Sequence, residues 1–308
     1  MDRIDDARTE GRLLRSLIED VTAADGRRYG VTDNGGRPMH CAKIIEDPGG
    51  PHPYLAVYHH GGADRRFHVS LAGSADLLSW EHLREFGAGG SQPTLFAVPG
   101  GGYLAAWEQD PRNHIELRYF ASRETLFGGP EQRRFRARRS LSRCAEGTPS
   151  IYYVWLDPDI DHSVITLDGH YWWKCDVDRQ LRASLIDFRR WRAVPRPEFD
   201  GALLRWGVGG NIGGRDPITF LGRSYAVIEA QSAKGDFGTW RTFVYDYADG
   251  TAEPAEIRTD RGSTAFANPH ATALTAPDGR RAVAVTLFIP GEGMAPGEGG
   301  ELIYWRAY

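Results

Sequence analysis

One unit recurs through the chain, and it constrains the fold more than any other feature of the sequence. A small or polar residue plus proline opens an apolar segment at Arg37-Pro38-Met39-His40, Ser91-Gln92-Pro93-Thr94, Gly147-Thr148-Pro149-Ser150, Arg215-Asp216-Pro217-Ile218 and Asn268-Pro269-His270. The five prolines are spaced 55, 56, 68 and 52 residues apart, so five units of similar length fill the 308 residues. Repeats of this length point to a propeller or another repeat architecture.

The interior of each unit reads as strands. A second apolar run follows a turn, at Tyr54–Tyr58, Gly102–Trp107, Gly169–Trp173, Ser224–Ile228 and Arg281–Val285. A third run follows at Phe67–Ala72, Ile115–Phe120, Thr242–Tyr247 and Leu302–Trp305. More polar fourth runs include Trp80–Arg84 and Trp191–Val194. β-branched and aromatic runs between turn residues are the strand signal. Four strands repeated five times predict an all-β, five-bladed β-propeller.

Ahead of the repeats, Leu13, Leu14, Leu17, Ile18 and Val21 share one helical face. Residues 1–30 are therefore expected to form a short N-terminal helix and a strand near Arg27–Val31 that completes the last blade. Residues 31–308 are expected to form the single propeller domain.

Composition narrows the function classes. The net charge is −4 and there are three cysteines. No basic footprint argues for nucleic acid; the run Arg133–Arg139 alternates like an outer strand. No segment reaches the ~18 apolar residues of a membrane span, and no apolar leader follows Met1. A cytoplasmic protein with no nucleic-acid or membrane partner is the expectation. Cys41, Cys144 and Cys175 lack metal or disulfide spacing and are expected to be reduced thiols.

In a propeller, the starts of the inner strands and the ends of the second strands converge on one face. The starts carry His40, Gln92, Glu146, Arg215 with Asp216, and His270; the ends carry His59-His60, Glu108, Lys174, and Glu229 with Gln231. Crowded carboxylates push their pKa values apart, giving the acid and base that glycosidic cleavage needs. Trp107, Trp172 and Trp173 are candidates for stacking on sugar rings. The segment Gly291–Gly300 reads as a flexible loop, a lid if it lies on the pocket face.

Three motifs carry a resemblance. Ser74-Ala75-Asp76-Leu77-Leu78-Ser79-Trp80-Glu81, Glu146-Gly147-Thr148-Pro149 and Arg215-Asp216-Pro217 resemble segments of the five-bladed glycoside hydrolases of family 43 and its relatives. The resemblance implies a glycosidase acting on a short oligosaccharide or glycoside. It makes Glu146 the proton donor. The family's first-blade aspartate is absent here, where the chain reads Met39-His40-Cys41, so the base falls to Asp216, Glu229 or Glu108. His40, His60, Gln92, Glu108, Arg215, Gln231 and His270 are assigned to substrate binding. No catalytic metal or cofactor is required, and a structural calcium in the channel fits the fold. Two alternatives stand beside this reading. One is an isomerase, lyase or cyclase of a small metabolite using His40, His60 and His270, with or without metal. The other is a non-catalytic sugar-binding propeller.

Overall fold

Five four-stranded antiparallel sheets, the blades of a five-bladed β-propeller, account for most of the chain in the computed structural model. Backbone is described for residues 2–308 and side chains from Thr9 onward. Helix α1 (Asp2–Glu19) precedes a short strand β1 (Gly26–Arg28). Blade one holds β2 (His40–Glu46), β3 (Tyr54–Gly61), β4 (Phe67–Ser74) and β5 (Glu81–Ala88). Blade two holds β6 (Gly90–Ala97), β7 (Tyr103–Gln109), β8 (His114–Phe120) and β9 (Arg133–Arg136). Blade three holds β10 (Glu146–Leu156), β11 (Ser163–Trp173), β12 (Val177–Ile186) and β13 (Arg190–Pro195). Blade four holds β14 (Ile212–Phe220), β15 (Arg223–Gln231), β16 (Trp240–Asp246) and β17 (Thr251–Ala255). Blade five holds β18 (Ala267–Thr275), β19 (Arg281–Ile289) and β20 (Gly300–Ala307), with β1 paired on β20 as its outer strand.

The chain groups into two compact units. Residues 32–75 and 79–197 hold blades one to three; residues 1–31, 76–78 and 198–308 hold α1 and blades four and five. In the second of these, Leu14, Leu17, Ile18 and Val21 bury against Phe220, Tyr225 and Tyr304. Leu13, grouped with them by helical period, stays 37% exposed. In the first, Trp107 is core and not a sugar platform. It is 1% exposed, under the Arg118 guanidinium, and its Nε1 donates to Gln109.

Three further expectations are corrected. The β10–β11 hairpin turns at residues 157–162, and Gly169 lies mid-strand, because the Asp- and Pro-rich segment supplies the turn. Cys144 and Cys175 form a disulfide, since the β11–β12 hairpin carries its tip back to the chain entering β10; only Cys41 is a free, buried thiol. The segment Gly291–Gly300 is tied down. Glu298 accepts from Thr259 Oγ1, Ser263 Oγ and the Arg261 amide, and Thr264 N–H donates to Gly293 O.

Candidate active site

All five inner strands share one irregularity. Their register slips between His40 and Lys43, Ser91 and Thr94, Gly147 and Ser150, Ile212 and Arg215, and Ala267 and His270. Two residues there oppose one on the neighbouring strand, the geometry of a β-bulge. The first bulged residue is left-handed in four blades: Cys41 (φ 55°), Gln92 (52°), Thr148 (46°) and Asn268 (47°). Non-glycine residues seldom sit there, β-branched ones least of all. The second bulged residue is Ala42, Pro93, Pro149, Gly214 and Pro269. Pro38 and Pro217 thus fall outside the repeated position.

A bulge leaves a backbone N–H without a ladder partner. Three are held by a side chain from the end of the preceding blade's second strand. Gln92 N–H donates to His59 Nδ1 (3.3 Å), Thr148 N–H to Glu108 Oε2 (3.2 Å) and Asn268 N–H to Glu229 Oε2 (2.6 Å).

In blades two and three, Glu108 is half-buried. Its Oε1 accepts from Asn113 Nδ2 at 2.6 Å. Its Oε2 lies where a side chain on Gly147 would start, for a Cβ there would come within 1.9 Å of it. Burial, followed by the charge of Asp178, pushes the Glu108 carboxyl up to about 7. Asp178 Oδ1 lies 3.6 Å from His170 Nε2, and His170 pairs with Gly147 across the β10–β11 ladder.

Glu146, two strand positions from Thr148, is fully engaged on one oxygen. Its Oε1 accepts from the amides of Ser140 (2.6 Å), Leu141 (2.5 Å) and Ser142 (3.0 Å). It organises the loop entering blade three, with Ser142 Oγ taking the Cys144 amide at 3.1 Å.

In blade one, His40 and His59 have ring centroids 5.8 Å apart. Burial, then the neighbouring imidazoles, lowers His59 to about 3. Its Nδ1 accepts from Gln92, so the ring is neutral with its proton on Nε2. Burial lowers His40 as well. His60 points to the opposite face of β3, where Nε2 meets Ser70 Oγ at 3.2 Å and the ring stacks on His68 at 5.7 Å. The strand-end position equivalent to Glu108 is therefore His59, which pairs with His40 as Glu108 pairs with Ser91.

In blades four and five, Glu229 receives two short backbone bonds, from Gly214 N–H (2.6 Å) and Asn268 N–H (2.6 Å). Arg215 is buried and donates to Gly213 O at 2.6 Å. Asp216 Oδ2 accepts from Ala271 N–H at 3.1 Å, and its Oδ1 is 3.7 Å from His270 Nδ1. Gln231 Oε1 receives the Asn211 amide at 3.4 Å. Among the described residues, no three His, Cys, Asp or Glu side chains are grouped to hold a metal ion.

No protein-family model matches the chain, and no curated protein matches it. Solved structures do. A protein described as a glycoside hydrolase superposes with a TM-score of 0.59 at 11% identity, covering 98% of this chain and 96% of that one. The likeness is one of fold. An exo-1,5-alpha-L-arabinanase from a bovine ruminal metagenomic library gives 0.55 at 13% identity, over 90% of this chain and 95% of its own. A family 43 endo-arabinanase from Bacillus licheniformis gives 0.53 at 11%, over 91% and 96%.

Sequence reasoning passed over Asn113, His170 and Asp178. His170 was legible as a strand residue opposite a glycine. Asn113 and Asp178 carry no local signal, because their roles come from neighbouring strands.

Proposed function

We propose that the protein is a glycoside hydrolase in which Glu108 gives the proton to the leaving oxygen. The observation that carries this reading is the Glu108 carboxyl itself, half-buried, raised to about 7, and lying against a backbone with no side chain at Gly147. A carboxyl protonated near neutral pH is what cleavage of a glycosidic bond requires of its acid. Glu146 suits that role less well than its motif implies, since one of its oxygens is spent on three amides. Carbohydrate is the substrate class; the fold likeness to arabinanases makes arabino- and xylo-oligosaccharides the first to try.

The test compares leaving groups. Wild type, Glu108→Gln and Glu146→Gln are assayed on aryl arabinosides, xylosides, fructosides and galactosides. Loss of a general acid lowers kcat/KM by about 10²–10⁴-fold on phenyl glycosides and far less on dinitrophenyl glycosides, whose leaving group needs no proton. The same pattern in Glu146→Gln, with Glu108→Gln unaffected, moves the acid to Glu146. Azide rescue of Asp178→Ala tests whether Asp178 is the second carboxylate. Binding without turnover in the wild type overturns the hydrolase reading in favour of a sugar-binding propeller.

A further inference from the structure

Two tryptophans end β11, and strand alternation sends them to opposite faces. Trp173 is 43% exposed, with the Lys174 ammonium 4.3 Å from its ring centre, and lies on the face away from Glu108. Trp172 is 41% exposed. Its face can be read from the ladder, because directly opposed residues share a face. Gly147 opposes His170, and Trp172 opposes Asp178. His170 and Trp172 are two residues apart and share that face too. The Cβ direction of Gly147 runs into the Glu108 carboxyl. The face of blade three that bears His170, Asp178 and Trp172 is therefore the one Glu108 lies against. The exposed indole stands one strand repeat, ~7 Å, beyond His170 on that side.

The strand end is held rigidly. Trp172 N–H donates to Ala145 O at 3.0 Å, and Cys175 N–H donates to Trp172 O at 3.2 Å. Cys175 is itself tied to Cys144. A residue whose backbone is anchored in advance loses less freedom when its ring takes a partner, and an indole left in water offers an apolar face to the C–H face of a pyranose or furanose.

We propose that Trp172 is a specificity-determining residue, the platform for the sugar ring on the leaving-group side of the bond that Glu108 protonates. This rests on the proton-donor role proposed above. It makes the preferred substrates glycosides whose leaving group is itself a sugar.

The test uses the full chain. Wild type, Trp172→Ala, Trp172→Tyr and Trp173→Ala are compared on an arabino- or xylo-oligosaccharide and on the glycosyl fluoride of the same terminal sugar, which carries no ring on that side. Trp172→Ala loses about 10- to 100-fold in kcat/KM on the oligosaccharide, chiefly through KM, and changes little on the fluoride. Trp172→Tyr recovers most of the loss, which separates stacking from misfolding. Trp173→Ala matches wild type on both. Equal losses on the two substrates, no loss, or the effect in Trp173→Ala instead, overturn the proposal. Calorimetric binding of the oligosaccharide to Glu108→Gln, with and without Trp172→Ala, reads the platform apart from turnover. Weaker binding with the alanine sustains it even if Glu108 is not the acid, and unchanged binding overturns it.

Discussion

Glu108 and Glu229 end the second strands of blades two and four, and each grips the bulge that opens the following blade. Each also lies against a glycine: a Cβ on Gly147 would come 1.9 Å from Glu108 Oε2, and one on Gly213 would come 2.4 Å from Glu229 Oε1. Their bonds differ. Glu229 takes a backbone N–H at 2.6 Å on each oxygen. Glu108 takes one backbone N–H at the longer 3.2 Å and a side-chain amide at 2.6 Å, and it faces the charge of Asp178. One latch holds blade to blade through two short backbone bonds. The other has the same reach but a weaker grip, and it keeps a proton where water is scarce. The contrast shows how two carboxylates one register step apart, Glu108 paired with the residue before a bulge and Glu229 opposite the bulge itself, are turned to different ends by their neighbours.

The glycines break the comparison most severely. Gly213→Ala drives a methyl into Glu229 and the Trp240 ring, and is expected to cost about 3 kcal/mol, at the upper end for overpacking, read as a fall in Tm. Gly147→Ala displaces Glu108, whose hold is weaker. It is expected to remove activity with a smaller fall in Tm. Equal Tm losses would mean that the two latches are alike.

Next comes Glu229→Gln. The amide replaces one acceptor oxygen by an N–H donor, which then faces either the Gly214 or the Asn268 N–H. A loss of ~2 kcal/mol follows from one buried donor left without an acceptor, measured by denaturant melts.

Glu108→Gln should act in the opposite direction. Its carboxyl moves from 4.5 to about 7 on folding. Between those values the folded chain holds a proton that the unfolded chain has released. Stability therefore falls as pH rises from about 4.5 to about 7 and stays reduced above that range. Glutamine abolishes this loss, so the variant is expected to gain ~1–2 kcal/mol over wild type at pH 8 and nothing at pH 4. A stability difference that does not vary with pH would remove the protonated carboxyl from the site.

The smallest effect is spectroscopic. His59, lowered to about 3 by burial, is expected to give no titration between pH 8 and 5 in imidazole NMR. His68, on the neighbouring strand and the other face, bonds Glu85 and Asp64, which raise it above 6.5, and it is expected to titrate.

Much of this arrangement was legible in the chain. Turn residues and aromatic runs located nearly every strand, because alternation and punctuation are local. The outer strand β9 followed from the alternating arginines, whose solvated heads suit an edge. Proline marked three bulges of five. It missed the others because Ala42 and Gly214 meet the same demand, a residue that needs no ladder bond, without announcing it. Long β10 and β11 hid the turn of blade three, since Gly169 imitates a hairpin while the true turn is made by Asp and Pro.

By itself the sequence determined the order, type and repetition of the strands, because those depend on side-chain period and turn chemistry along a short stretch. It also placed polar residues at the strand ends. Only the tertiary structure decided what each of them does. A carboxyl surrounded by amides and a carboxyl facing an aspartate are the same letter in the chain. Their partners are set by groups that the fold brings to them: the Ser140–Ser142 amides at Glu146, the Asn268 amide at Glu229, Asn113 and Asp178 at Glu108. The choice of His59 over His60, and of Trp172 over Trp173, likewise rests on a register of one residue, which sends neighbours in sequence to opposite faces of a sheet.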